Sequence, residues 1–128
     1  MKNLTNYIIV ILAISVFSIS SLNGQNFQPR ILHEVERNVY IFNGGSGFFV
    51  NTLIFDSEEG LILIDTQMED ENNEILIKLL KEKFPNKDIH SFIISHAHLD
   101  HFIGLSFFRD AFGEFEIVVI EGENKHMM

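Results

Sequence analysis

The stretch Ile89-His90-Ser91-Phe92-Ile93-Ile94-Ser95-His96-Ala97-His98-Leu99-Asp100-His101 decides how this chain is read. Its first seven residues, IHSFIIS, form a short apolar run that predicts a buried β-strand. The six that follow gather three imidazoles and one carboxylate, side chains that zinc accepts as ligands. In an extended start His96 and His98 point the same way. The chain must then turn for Asp100 and His101 to reach a neighbouring point. Two such pairs on one tight loop suit two ions, which stand about 3.5–4 Å apart in two-metal hydrolases. A water bridging them loses a proton near neutral pH and becomes a nucleophile. Histidines standing alone carry no such signal, so His33, His90 and His126 are read as structural or solvated.

Upstream of this stretch the hydrophobic period is helical. Ile75, Leu76, Leu79, Leu80 and Phe84 recur at intervals of three and four, predicting an amphipathic helix over Asn73 to Phe84. Asp70, Asn72 or Asn73 can cap its start, and Pro85 ends it. Before the helix the signals are β. Val35 to Phe42 reads as strand, broken by a turn at Arg37–Asn38, and Gly44–Gly47 is a flexible turn. Phe48 to Phe55 and Leu61 to Asp65 are two apolar runs about a charged loop at Asp56–Gly60, which is a hairpin signal. Downstream of His101, Leu105 to Phe112 reads as helix ended by Gly113, and Glu116 to Ile120 as a buried strand. The order is a β meander followed by β-α-β-α-β, a sheet with helices on one face within a layered α/β design.

Composition narrows the function classes. The chain has 128 residues, 9 Lys+Arg, 18 Asp+Glu, 13 Phe and no cysteine. One domain at most fits that length. Without cysteine there is no disulfide scaffold, thiol nucleophile, CxxC redox site or cysteine-ligated zinc. A net charge of −9 offers no cationic surface for a phosphate backbone, so no nucleic-acid partner is expected. Lys2 followed by the apolar run Tyr7 to Ile19 and a small polar exit describes a secretory signal peptide over residues 1–24. That run is short for a membrane span, which takes about 20 residues. Lys2 is the one charged residue in the leader, so residues 25–128 keep 8 of the 9 basic groups and all 18 acidic ones, net −10. The expected location is exported, periplasmic or secreted, with no membrane partner after cleavage.

His96-Ala97-His98-Leu99-Asp100-His101 reproduces the HxHxDH signature of the metallo-β-lactamase superfamily of metallo-hydrolases. The resemblance runs from Val35 to Ile120, with FFVNTLIF, the Glu58-Glu59-Gly60 turn and LILIDT ending at Asp65–Thr66 similar to the family's strands and first Asp motif. It implies the N-terminal half of an αββα sandwich, with residues 25–128 a partial domain. It implies that His96 and His98 bind one zinc ion, and that Asp100 and His101 bind a second. Asp100 would also orient or deprotonate the attacking water, and Asp65 would steady the ligands from behind by hydrogen bonds. Asn51 and the Gly44–Gly47 loop fall near the family's site and are given no role.

HxHxDH supplies two donors per metal, where a catalytic zinc takes three protein ligands and an open position. The family draws the others from a second half that follows the segment read here. The expectation is therefore a fragment of a longer protein, a truncated gene, or two chains that assemble one site. The implied function is an exported zinc-dependent hydrolase in which metal-bound hydroxide attacks an ester, lactone, thioester or β-lactam type bond of a small-molecule substrate. The alternative is an inactive remnant or weak metal-binding module. Either way, the sheet face that a second sheet would cover is expected to favour self-association.

Overall fold

Asn38 adopts φ 62°, the left-handed conformation that asparagine tolerates at tight turns, and so folds the first two strands against each other. They are β1 (Leu32–Glu36) and β2 (Val39–Asn43) of a computed structural model that describes residues 29–45 and 50–119. The stretch read as Val35 to Phe42 with a turn at Arg37–Asn38 thus becomes a hairpin. β3 (Asn51–Ser57) and β4 (Gly60–Ile64) form the second predicted hairpin. Gly60 turns it at φ 132°, where an added Cβ would lie 2.8 Å from the Asp88 carbonyl oxygen. The leader, residues 46–49, Ile120 and His126 lie outside the described residues.

Helix α1 (Asp70–Lys83) begins three residues earlier than its apolar period suggests. Its N-cap is Glu69 and no side chain caps it, so the expected capping by Asp70, Asn72 or Asn73 is corrected. Asp70 and Glu71 in the first turn still favour the positive end of the helix. Both asparagines are fully buried and point into the loop before the helix. Strand β5 (Ile89–Ile94), a single 3₁₀ turn at Leu99–His101, α2 (Leu105–Phe112) and β6 (Glu116–Val119) complete the chain. Gly113 ends α2 at φ 83°, as its sequence position predicts.

All six strands form one sheet in sequence order, antiparallel from β1 to β4 and parallel from β4 through β6. Parallel neighbours need a crossover, and α1 and α2 provide the two crossovers. The register sorts the side chains by face. Tyr40 pairs Ile54, Ile54 pairs Leu63, and Leu63 pairs Phe92. This rank packs with Leu76 and Leu80 of α1 and Phe108 of α2 in one core. Phe92 meets Phe108 edge-on at 4.9 Å, and Tyr40 meets Phe84 at 5.4 Å, geometries that favour aromatic pairs.

The opposite face carries the rank Ile41–Leu53–Ile64–Ile93–Val118 across five strands. Phe55 and Ile62 extend it, and none of these residues joins the helix-packed core. Among the described residues, helices cover one face and none covers the apolar other, the layering that the sequence predicts.

Candidate metal centre

Because β4 and β5 run parallel, their carboxyl ends lie side by side, the usual place for a site in an α/β sheet. Asp65 follows β4 and Ser95 follows β5. The Asp65 N–H donates to the Ile93 carbonyl at 3.0 Å, which anchors one strand end to the other. Asp65 then leaves the strand geometry at φ 61°. A left-handed aspartate is sparsely populated and persists where its surroundings hold it. Here its buried carboxylate accepts three hydrogen bonds. The Ser95 N–H reaches Oδ1 at 2.8 Å, while the Ser95 hydroxyl and His101 Nδ1 each reach Oδ2 at 2.7 Å.

The four motif side chains come together above that carboxylate. His96 Nε2 lies 3.0 Å from His98 Nδ1, and the His96 ring centroid lies 4.0 Å from that of His101. His101 Nε2 lies 3.4 Å from Asp100 Oδ2. The Ser95 hydroxyl, which the sequence reading passed over, also touches His96 Nδ1 at 2.9 Å. A small hydroxyl residue between the strand and the first motif histidine is the one signal that could have marked it.

The loop between β4 and α1 is held from below by polar side chains that no motif reveals. Gln67 is 2% exposed and donates through Nε2 to the Val50 carbonyl and the Thr52 hydroxyl. Its own N–H donates to Asn73 Oδ1, and Asn73 Nδ2 donates back to the Gln67 carbonyl. The motif loop is tied to the same base. The Thr66 N–H donates to the His101 carbonyl at 2.8 Å, and the Gly104 N–H donates to the Thr66 hydroxyl. A Cβ on Gly104 would lie 2.5 Å from Asn73 Oδ1, so this approach needs glycine. His33 and His90 lie in β1 and β5, away from the cluster, and His90 Nε2 is 3.5 Å from Glu59.

The donor set fits zinc by chemistry and by spacing. Two ligands about 2.0–2.1 Å from a tetrahedral ion lie roughly 3.3 Å apart. The His96–His98 and Asp100–His101 separations bracket that edge. Among the described residues no three His, Asp or Glu side chains enclose one point, so the cluster offers pairs of ligands. An open depression of about 260 Å3 adjoins it, lined by Met68, His98, Leu99 and Asp100. Leu99, between the two pairs, is 53% exposed.

The sequence pattern of the metallo-beta-lactamase superfamily matches residues 45–128, more than half of the chain. The chain belongs to that superfamily. A metallo-beta-lactamase type 2 of Bacillus cereus is 28% identical over 79 residues, which cover 58% of this chain and 30% of that protein. Among solved structures, the metallo-beta-lactamase from Hirschia baltica superposes with a TM-score of 0.63 at 21% identity, over 78% of this chain and 47% of its own. A subclass B3 metallo-beta-lactamase of Bradyrhizobium japonicum gives a TM-score of 0.61 at 25% identity, over 76% and 35%. The chain therefore spans about a third of the length of the curated relatives it matches. The six-stranded sheet and two helices correspond to the N-terminal part of the metallo-beta-lactamase fold. Among the described residues no helix is long and apolar enough to cross a membrane.

Proposed function

We propose that this chain is the ligand-bearing N-terminal part of an exported zinc-dependent hydrolase acting on an ester, lactone, thioester or β-lactam type bond. The observation that carries the reading is the cluster of His96, His98, Asp100 and His101, held from behind by the buried carboxylate of Asp65. His96 and His98 would hold one ion, and Asp100 with His101 a second. When bound, zinc supplies Lewis acidity and lowers the pKa of a water toward neutrality.

The remaining roles belong to the protein. Asp65 fixes the His101 ring by taking its Nδ1 proton in a hydrogen bond, which turns Nε2 toward the cluster. Asp100 lines the depression and stands where it can take a proton from an attacking water at its carboxylate. Met68 and Leu99 form an apolar wall that suits an uncharged group beside the reacting bond. Export rests on Lys2 and the apolar run Tyr7 to Ile19, read as a leader ahead of a partial domain over residues 25–128. The unhelical sheet face is the surface through which the chain on its own would associate with a second copy.

Metal content of the purified chain, with hydrolysis measured on a panel of those four bond types, tests the reading. Bound zinc that is lost in His98→Ala is expected. A chain that takes up no zinc, and whose behaviour His98→Ala does not change, overturns it.

A further inference from the structure

We propose that Ser95 is a positioning residue that sets the tautomer of His96, so that one carboxylate, Asp65, orients two rings rather than one. The hydroxyl of Ser95 stands between Asp65 Oδ2 at 2.7 Å and His96 Nδ1 at 2.9 Å. An ionised carboxylate only accepts hydrogen bonds, and a serine has one hydroxyl proton. That proton must lie on the Asp65 side, because two acceptors 2.7 Å apart with no hydrogen between them repel. The Ser95 oxygen can then only accept from His96, so His96 carries its proton on Nδ1. Its Nε2 is left as a bare lone pair, facing His98 Nδ1 at 3.0 Å. With Nε2 of His96 unprotonated, the proton in that contact belongs to His98.

The same carboxylate oxygen accepts from His101 Nδ1, so His96 and His101 are driven to the same tautomer by one group. Both rings present Nε2 to the cluster, which is the form in which a neutral imidazole can take a metal. The Ser95 N–H, donated to Asp65 Oδ1, fixes the serine against the carboxylate and keeps the relay in register. Nothing at Ala97 or Leu99 could replace it, since neither side chain has a polar atom.

The relay itself stands on hydrogen bonds within the chain, and its consequence for metal uptake rests on the hydrolase reading above. Long-range 1H–15N spectra of the metal-free full chain report each imidazole tautomer directly. His96 and His101 are expected as Nδ1–H forms. Ser95→Ala should move His96 toward the Nε2–H form and leave His101 unchanged, and Ser95→Thr, which keeps the hydroxyl, should restore it. Zinc affinity should fall by about tenfold in Ser95→Ala and recover in Ser95→Thr. An Nε2–H form of His96 in the unsubstituted chain overturns the proposal without recourse to any variant. So does a His96 signal that Ser95→Ala leaves in place. A tautomer shift in a chain that binds no zinc upholds the relay and overturns the metal reading instead.

Discussion

Asp65 Oδ2 lies 2.7 Å from His101 Nδ1, although 36 residues separate them in sequence. The contact exists because β4 and β5 are parallel neighbours whose ends lie together, and because Asp65 turns out of its strand at φ 61°. A structural strain and a ligand's orientation are therefore supplied by the same residue.

Removing that carboxylate should weaken both folding and binding. Asp65→Ala leaves the Ser95 N–H and the His101 Nδ1–H without their acceptor, for a loss of roughly 1–3 kcal/mol per buried group. It also puts alanine in a left-handed conformation that aspartate and asparagine tolerate better. Zinc affinity is expected to fall 10–100-fold. Asp65→Asn, which keeps an acceptor and tolerates the backbone, should lie between. Calorimetric zinc titration beside urea unfolding separates the two effects, and an unchanged affinity in Asp65→Ala would refute the role.

Two glycines should fail for different reasons. Gly104 has ordinary backbone angles but no space, since its Cβ would meet the buried Asn73 amide. Gly104→Ala should therefore lower stability by about 1–3 kcal/mol and displace the motif loop. Gly113 has open space around it and a φ of 83°. Gly113→Ala should cost about 1–3 kcal/mol with the loop in place. Loop displacement is read from the histidine side-chain shifts, which should move in the first variant and not in the second.

Tyr40 should make stability fall in alkali. Burial pushes its phenol above the ordinary value of 10.0, and the Glu34 charge, the hydrogen bond to Glu34 and the Asp56 charge add to that. A group raised on folding contributes stability that is complete below its unfolded value and lost as pH climbs through the folded one. Urea midpoints should thus be level to about pH 9 and fall beyond pH 10. Tyr40→Phe should flatten that fall, and an equally steep decline in the variant would exclude Tyr40 as its source.

The apolar rank on the face that no described helix covers predicts association. Sedimentation of the full chain should show apparent mass rising with concentration, because Leu53, Ile93 and Val118 of that rank are half-buried apolar side chains that no described helix covers. Leu53→Lys, second in the rank, should lower that mass. A monomer at every concentration, with or without the substitution, rules the surface out.

The sequence alone determined the order of elements, because periods of two and of three to four are local properties of apolar spacing. It placed α2 at Leu105–Phe112 with the same ends that the structure gives. It also marked His96, His98, Asp100 and His101, since four ligand-type side chains in six residues are visible without any fold. The start of α1 was less legible. Asn72 and Asn73 look like helix caps in a linear reading, and only the packed loop shows them buried beneath it. Tertiary structure alone decided which distant groups meet the motif. Ser95 and Asp65 come together through parallel strand pairing, and Gly104 and Asn73 through the return of the motif loop onto α1. Such contacts join residues about 30 positions apart, and hydrophobic periodicity holds no information about pairs at that range.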